Sequence, residues 1–342
     1  MEFRPVFKKQ KLVEVPASAP DTHKVGLLIV KTANQTIQDA MEQPIPEQLC
    51  GIFWYEGEVC ILFADTNTGK SILAVQVADC ITKRETRGIF CCHAKQQYVL
   101  YLDFELSDKQ FEKRYSVDYQ RHYTWDSKFI RVKINTSFTD YDDFEKQLFY
   151  EVEQILTETG VKILIVDNIT YLKMQSTEMG KEAMSLMKRL THLKGQFGLS
   201  MLVLAHTPKR SNPSADLTLN DLAGSKQLSN FADSIFCIGR SSQGGDIRYI
   251  KQLKARACPV AEEVQVCRLE KQHNFLGFTF LQTDYEANHL KPKSEANSDL
   301  TEQIKQLKIE HPEWSLQKIA QETGTHKMKV KRILDRQESS QS

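Results

Sequence analysis

Short apolar runs alternate with longer amphipathic stretches through the middle of the chain, and this alternation predicts its secondary structure. The predicted strands are Val59–Phe63, Tyr98–Phe104, Phe129–Lys133, Ile163–Val166, Met201–Ala205, Ser234–Ile238, Tyr249–Leu253, Val264–Leu269 and Gly277–Leu281. The predicted helices are Ser71–Lys83, Asp108–Tyr119, Tyr141–Thr159 and Glu182–Gln196. The early alternation of strand and helix indicates a mostly parallel α/β sheet. The later strands have no long helix between them, which predicts an antiparallel extension of that sheet.

Four further segments flank this α/β domain, which we place at residues 47–285. Residues 1–46 are predicted to be an N-terminal extension with one short helix, and residues 286–299 a polar linker. Residues 300–338 have the helical periodicity of a small all-α domain, and the polar residues 339–342 predict a disordered tail.

The most informative pattern lies where the first predicted strand meets the first helix. There a Gly-Lys-Ser tripeptide opens the helix after a tight loop, which is the arrangement of a phosphate-binding P-loop. Backbone N–H groups at a helix N-terminus point at an anion, and the helix dipole favours negative charge there. Lys70 is expected to reach the β- and γ-phosphates of a nucleotide, and the Ser71 hydroxyl to hold Mg²⁺. The predicted nucleotide-binding residues are Ala64, Asp65, Thr66, Asn67, Thr68, Gly69, Lys70 and Ser71.

One position of this loop departs from the P-loop pattern. Ala64 stands where the pattern has its first glycine. Alanine resists the positive φ that glycine adopts freely, so the loop must tolerate a side chain at this point if it binds a nucleotide.

The overall composition is that of an ordinary globular protein and leaves the function to local patterns. The chain has 342 residues, a net charge of +1, 41% hydrophobic and 26% charged residues, so no global basic field indicates a nucleic-acid partner. No apolar run approaches the ~20 residues of a membrane span, and the first residues lack the apolar segment of a secretion signal. Eight scattered cysteines without a C-x-x-C motif favour buried, reduced thiols. We therefore expect a cytoplasmic protein without a membrane segment.

Two apolar strands end in carboxylates. Asp167 follows the strand Ile163–Val166, and an acidic residue in this place downstream of a P-loop can coordinate Mg²⁺ directly or through water. Glu105 follows the strand Tyr98–Phe104 and lies beside the P-loop if the two strands are neighbours. Hydrolysis needs a base that orients the attacking water. We assign this role to Glu105, with Asp103 as the alternative.

Polar groups also end two later strands. His206 follows Met201–Ala205, where it is placed to sense the γ-phosphate and pass the signal to the next loop. Lys254 and Arg256 alternate along an extended segment and therefore point to the same side. They are either a solvated basic edge or a cation pair that reaches the γ-phosphate of a neighbouring subunit, as an arginine finger does.

These motifs follow one another over residues 50–285 in the order Gly-Lys-Ser, Glu, Asp, His-Thr and Lys-x-Arg. The order resembles the RecA-like ATPase core, and more narrowly the hexameric helicases of the DnaB and RepA types found on plasmids and mobile elements. AAA+ ATPases usually have the glutamate next to the aspartate, whereas here Asn168 follows Asp167. The resemblance implies ATP and Mg²⁺ as ligands, Glu105 as catalytic base, and Lys254 with Arg256 acting in trans within a hexamer.

The same resemblance extends to the DNA-binding part of these helicases. Residues 222–233 are similar to the segment that follows their mobile DNA loop. The loop would then be Thr207–Asp221, and its Lys209 and Arg210 would face single-stranded DNA in the central channel. Primase and other replication proteins are candidate partners of such a ring.

Residues 315–334 have the spacing of a DNA-binding helix-turn-helix, with a supporting helix upstream. Ala320 allows close approach of the two helices, Gly324 permits the turn and Val330 packs between them. The basic second helix is expected to meet phosphates of duplex DNA, with its N-terminal half near the base edges. The predicted DNA-binding residues here are Thr325, His326, Lys327, Lys329, Lys331 and Arg332. A small protein-interaction domain is the alternative.

The sequence thus predicts a DNA-dependent ATPase of a plasmid or mobile element, with a ring helicase for replication or transfer as the leading hypothesis. A DNA-binding regulator that uses ATP as an assembly switch, without unwinding, is one alternative. The helix-turn-helix favours this regulator, because replicative helicases often lack one. A recombinase-like filament ATPase is the other alternative, although no N-terminal polymerisation element is recognisable.

Overall fold

The computed structural model describes residues 23–25, 28–135, 137, 144–169, 179–207, 215–222, 225–290 and 293–338. Its strands are β1 (His23–Val25), β2 (Leu28–Val30), β3 (Gln48–Cys50), β4 (Trp54–Tyr55), β5 (Val59–Ala64), β6 (Thr86–Arg87), β7 (Phe90–Cys91), β8 (Val99–Asp103), β9 (Ser116–Val117), β10 (Arg121–His122), β11 (Phe129–Val132), β12 (Ile163–Asp167), β13 (Ser200–His206), β14 (Ser234–Arg240), β15 (Ile247–Lys254), β16 (Val264–Gln272) and β17 (Phe275–Asp284). Its α-helices are α1 (Ala33–Met41), α2 (Lys70–Lys83), α3 (Asp108–Arg114), α4 (Phe144–Thr159), α5 (Met179–Phe197), α6 (Ser225–Phe231), α7 (Lys293–Glu310), α8 (Leu316–Glu322) and α9 (Lys327–Glu338).

The described strands form a central nine-stranded sheet in the order β11-β8-β12-β13-β5-β14-β15-β16-β17. The six strands from β11 to β14 are parallel, and β15, β16 and β17 continue the sheet antiparallel. Every residue of β5, β8 and β12 is buried, as expected of parallel strands that are covered on both faces. The predicted mostly parallel sheet with an antiparallel extension is confirmed.

The two faces of the sheet carry separate layers of helices. Successive side chains of a strand point to opposite faces, so Ile61 of β5 packs towards α4 and α5, whereas Leu62 packs towards α2. The helix α2 is buried along nearly its whole length, because β17 covers its outer side. There the Gln76 side chain accepts a hydrogen bond from the Phe278 N–H (2.6 Å) and donates one to the Phe278 carbonyl (3.0 Å).

The helix predicted at Asp108–Tyr119 is shorter in the structure, so this prediction was wrong at its C-terminal end. It ends at Arg114 and is followed by the antiparallel pair β9–β10. Lys271 of β16 donates from its ammonium to the carbonyl oxygens of Lys113 and Ser116. A contact from a distant strand therefore caps the last turn, which no local pattern could indicate.

The segment predicted as a linker at 286–299 is more ordered than expected. Glu286–His289 forms a short 3-10 helix, and α7 begins at Lys293. The Glu286 carboxylate is buried, where it accepts hydrogen bonds from the Leu217 N–H (2.8 Å) and from the ammonium of Lys251. The turn is thereby fixed to the sheet.

The C-terminal helices α7, α8 and α9 share a small apolar core of Ile304, Ile319, Ala320 and Val330. The Ser315 hydroxyl accepts a hydrogen bond from the Lys318 N–H (3.2 Å) at the start of α8. Gly324 has a φ of 63° in the turn between α8 and α9, where glycine is favoured. The helices and their turn lie where the sequence predicts them.

The N-terminal residues up to Pro46 form a compact unit that is distinct from the unit formed by Glu47 onwards. In the first unit β1 and β2 pair antiparallel, and the predicted short helix is confirmed as α1. The Thr32 hydroxyl and the Gln35 side chain form a capping box at the start of α1. No helix within the described ranges combines the length and the apolar character that crossing a membrane requires.

Candidate nucleotide-binding site

The loop between β5 and α2 has the backbone geometry of an anion site. Gly69 immediately precedes α2 with a φ of 112°, and a Cβ there would lie 2.7 Å from the ring of Phe278. Only glycine fits such a position. The first N–H groups of a helix have no partner within the helix, and they point at any anion that binds there.

Ala64 does not need the conformational freedom of glycine. It is the last residue of β5, fully buried, and it pairs with β13 on one side and β14 on the other. The positive φ angles of the loop occur at Asn67 (57°) and Gly69. The departure from the P-loop pattern therefore falls on an ordinary strand residue.

Two arginines that the sequence analysis did not single out hold the loop in place. Arg240 donates to the carbonyl oxygens of Thr66 (3.0 Å) and Asn67 (3.2 Å). The buried Arg248 donates from Nε to the carbonyl oxygen of Thr68 (3.2 Å). Because Arg240 ends β14 at the carboxyl edge of the parallel strands, its place at the sheet edge was a usable signal. Arg248 lies inside an antiparallel strand and gave none.

The ammonium group of Lys70 lies inside the loop. It donates to the carbonyl oxygens of Ala64 (2.8 Å) and Asp65 (3.1 Å), and the side chain is 7% exposed. Burial lowers the pKa of Lys70, and the negative charges of Asp167, Glu105 and Asp65 partly offset this effect. The cation and the acidic groups thus share one small region, as phosphate and metal binding require.

Asp167 and Ser71 form an oxygen pair suited to Mg²⁺. Asp167 ends β12, and its carboxylate accepts hydrogen bonds from the Tyr101 hydroxyl (2.7 Å) and the Ser71 hydroxyl. Burial raises the pKa of Asp167 to about 6 in spite of these two hydrogen bonds. Mg²⁺ prefers carboxylate and other oxygen ligands, so this donor set fits the ion.

Glu105, Asn168 and His206 form a hydrogen-bonded cluster beside Lys70. Asn168 donates from Nδ2 to Glu105 Oε1, and the same nitrogen lies 2.9 Å from Nε2 of His206. The hydrogen bond with His206 lowers the pKa of Glu105 against the effect of burial, and the charges of His206 and Lys70 act in the same direction. Glu105 is therefore held as a carboxylate. Asn168 was not assigned a role from the sequence, although its place directly after Asp167 was a usable signal.

The geometry separates the two candidate bases. Asp103 is buried, accepts a hydrogen bond from Arg131 Nε (2.8 Å), and accepts N–H bonds from Glu105 (3.2 Å) and Leu106 (3.0 Å). It therefore shapes the turn after β8. Glu105 lines a cavity of about 220 Å³ together with Lys70, Ser71 and His206. The assignment of Glu105 as base stays a prediction, and the position of its carboxylate favours it over Asp103.

Arg114 also lines this cavity and was missed by the sequence analysis. It ends α3, nine residues after Glu105. Its Nη1 atom is buried and has no hydrogen-bond partner among the described residues. A buried guanidinium nitrogen without a partner is costly, and a nucleotide would supply the missing acceptor. Its distance along the chain from both the P-loop and Glu105 hid it from a motif search.

Lys254 and Arg256 lie far from this cavity, at the opposite edge of the sheet. Arg256 donates from Nη1 to Asp233 Oδ1 (2.8 Å), and the other oxygen of Asp233 accepts the N–H of Val59 (2.9 Å). Val59 is the first residue of β5 and Ala64 the last. At roughly 3.3 Å per residue, the two ends of β5 are about 16 Å apart.

The ammonium of Lys254 is engaged within the subunit. It donates to the carbonyl oxygens of Ser229 (2.7 Å) and Ala232 (2.8 Å) near the C-terminal end of α6. Burial lowers the pKa of Lys254, and the neighbouring charge of Arg256 adds to this effect. Of the predicted cation pair, Arg256 is thus the more exposed member, with 59% of its side chain accessible.

The predicted DNA-binding residues differ in what the structure says of them. Lys209 and Arg210 lie outside the described residues. In the C-terminal helices, His326, Lys327, Lys331 and Arg332 are exposed, and Thr325 and Lys329 are half-buried. The basic residues therefore lie on an accessible part of the helices.

A P-loop that opens a helix beside the central strand of a mostly parallel sheet, with carboxylates on the neighbouring strands, defines a RecA-like P-loop ATPase. This class uses ATP with Mg²⁺. The chain belongs to the AAA domain family (AAA_25), whose family model matches residues 30–212. No curated protein matches the sequence.

Solved structures agree on the fold. The ATPase domain of a DnaB-type helicase superimposes with a TM-score of 0.53 at 14% identity, covering 73% of this chain and 98% of that one. The KaiC-like protein PH0186 of the hyperthermophilic archaeon Pyrococcus horikoshii OT3 gives a TM-score of 0.51 at 13% identity, covering 70% of this chain and all of that one. At these identities the likeness concerns the fold alone, and it confirms the predicted RecA-like core.

Proposed function

We propose that this protein is a DNA-dependent ATPase that assembles head to tail into a ring, most similar in action to the hexameric helicases of the DnaB and RepA types. Its role would be replication or transfer of a plasmid or mobile element. The observation that carries the proposal is the division of the catalytic residues between two edges of the sheet. The P-loop cavity is at one edge and Arg256 at the other.

Within one subunit the residues provide binding and a base. Backbone N–H groups at the start of α2, with Lys70, would bind the phosphates of ATP. Mg²⁺, held by Ser71 and Asp167, would neutralise charge on the β- and γ-phosphates. Oε1 of Glu105 accepts the hydrogen bond from Asn168, so Oε2 is the oxygen that we assign to orienting the attacking water. His206 would respond to the γ-phosphate through the same cluster.

The distance between the edges supports catalysis by two subunits. Arg256 is bound to Asp233, level with the start of β5, and so lies about 16 Å from the P-loop along the strand direction. A side chain cannot bridge that separation within its own subunit. A head-to-tail contact brings the amino edge of one sheet to the carboxyl edge of the next, and such heterologous contacts close into rings or open into filaments.

The DNA contacts in this proposal come from two places. Lys209 and Arg210 would face single-stranded DNA in the ring channel. The exposed basic residues of α9 would bind duplex DNA, as the second helix of a helix-turn-helix does. These exposed charges also favour the second candidate function, a regulator that binds duplex DNA and uses ATP only to assemble.

One set of assays separates the candidates. ATP turnover per subunit should fall steeply on dilution below the assembly threshold, and turnover strictly proportional to protein concentration would count against shared sites. Unwinding of a forked duplex, lost in Lys70→Ala, supports the helicase. ATP turnover without strand separation supports the regulator, and electron microscopy distinguishes a closed ring from a filament.

A further inference from the structure

The carboxylate of Asp233 binds Arg256 and two other groups at the start of β14. Oδ1 accepts a hydrogen bond from Arg256 Nη1 (2.8 Å), and Oδ2 accepts from Lys194 Nζ (2.7 Å) and from the Val59 N–H (2.9 Å). We propose that Asp233 is a positioning residue, which holds the Arg256 guanidinium in the orientation in which it reaches ATP bound to the neighbouring subunit. This inference rests on the proposed shared site.

The orientation of the carboxylate is itself fixed. The Val59 N–H belongs to the backbone of a fully buried strand, and Lys194 belongs to α5, so two separate elements hold Oδ2. Burial acts to raise the pKa of Asp233, but the hydrogen bonds from Lys194 and Val59 outweigh it and lower the pKa. The group is therefore a carboxylate at neutral pH. With Oδ2 held on one side, Oδ1 is directed at Arg256.

The contact leaves Arg256 able to bind a second anion. A guanidinium carries five N–H donors in a planar fork, and the ion pair with Asp233 uses Nη1 at a single oxygen. The Arg256 side chain is 59% exposed, whereas that of Asp233 is 13% exposed. The buried partner thus fixes the base of the fork, and the exposed part can reach a phosphate on another subunit.

Such fixing matters for rate more than for ATP affinity. An unrestrained arginine on the surface samples many rotamers, and ordering it only when the neighbour's ATP reacts would raise the barrier. Misplacement of a catalytic group by about 1 Å costs up to roughly 100-fold in rate. We expect Asp233→Asn to lower kcat about 10- to 100-fold, with KM for ATP changed by less than about twofold because the P-loop is untouched. The asparagine side chain can still accept the Val59 N–H bond.

A mixing experiment separates positioning from structural support. Lys70→Ala subunits keep Arg256 but lack a working P-loop, and Arg256→Ala subunits are the reverse. Each variant alone should be inactive. If subunits assemble at random and act independently, an equal mixture should recover about a quarter of parent ATP turnover, since half of the sites and half of the arginines are intact.

Asp233→Asn is then placed on one kind of subunit at a time. In the Lys70→Ala subunit it alters the partner that donates Arg256, and recovered turnover should fall about 10- to 100-fold. In the Arg256→Ala subunit the same substitution has no arginine to act on, and recovered turnover should stay within about twofold. Equal losses from both placements, or no loss from either, would overturn the inference.

The same experiment tests the proposed function separately. If the equal mixture without Asp233→Asn recovers no turnover, the shared site itself fails, and the positioning role fails with it. Thermal melts and sedimentation of each variant show whether it folds and assembles. Glu145→Gln, which breaks the exposed Glu145–Arg189 ion pair (3.5 Å), is a control for loss of a carboxylate away from the site and should leave recovered turnover unchanged.

Discussion

Replacing Asp167 with asparagine should stabilise the nucleotide-free protein at neutral pH, although it should also abolish ATP hydrolysis. Asp167 is 1% exposed, and burial raises its pKa from 3.8 to about 6. Asparagine keeps a carbonyl oxygen for the Tyr101 hydroxyl and carries no charge. The charged carboxylate is therefore a cost to the fold that the site retains for metal binding.

The size of the effect follows from the pKa. A shift from 3.8 to about 6 corresponds to about 3 kcal/mol at roughly 1.4 kcal/mol per pKa unit. The folded protein binds this proton more tightly than the unfolded chain, so the free energy of unfolding falls as the pH rises from 3.8 to about 6 and the contribution is lost above that. Asp167→Asn should gain about 3 kcal/mol near neutral pH, roughly half of that near pH 5, and nothing in strong acid.

Urea unfolding followed by tryptophan fluorescence, in EDTA and at both neutral and acidic pH, measures this difference. Asp246→Asn, at an exposed aspartate paired with Arg268 (3.1 Å), is the matched control and should change stability by less than about 0.5 kcal/mol at either pH. The reasoning is refuted if Asp167→Asn is no more stable than the parent at neutral pH, or if its advantage does not shrink in acid. ATP with Mg²⁺ should then stabilise the parent and not the variant.

Three further predictions concern the site and the C-terminal helices. Lys70→Ala should abolish phosphate release while circular dichroism stays unchanged, and turnover in a folded variant would contradict the P-loop assignment. Arg114→Gln should weaken nucleotide binding about 10- to 100-fold, since a hydrogen bond to a charged group contributes about 1.5–3 kcal/mol. A fluorescent-nucleotide titration measures this, with the exposed Arg121→Gln as control. Combined Lys331→Glu and Arg332→Glu should weaken duplex binding and reduce its dependence on salt, and an unchanged salt slope would exclude α9 from the contact.

The parallel sheet and the P-loop were predictable because their signals are local. Buried parallel strands are apolar throughout, as in Ile163–Asp167, and each was visible as a run in the sequence. The Gly-Lys-Ser tripeptide fixes its own geometry within a few residues. The carboxyl ends of parallel strands meet at one edge, so the grouping of Glu105, Asp167 and His206 followed from strand order.

The rest depended on contacts between distant parts of the chain. The pairs β3–β4, β6–β7 and β9–β10 are two or three residues per strand, too short for an alternating pattern. Arg248 anchors the P-loop from an antiparallel strand, and Lys271 ends α3 from another. Neither side chain has a sequence neighbour that indicates its partner.

The C-terminal helices lie at the edge of the sheet that a neighbouring subunit must approach. Gln303 of α7 and Thr323, which follows α8, line a cavity of about 420 Å³ together with Asp65 and Thr68 of the P-loop. If Arg256 of the next subunit comes to this edge, subunit contact and the packing of α7–α9 compete for the same surroundings. Duplex DNA bound to α9 should therefore change the protein concentration at which ATP turnover begins. Turnover measured across a dilution series with and without duplex tests this, and a threshold that ignores the duplex would place DNA binding and assembly on separate surfaces.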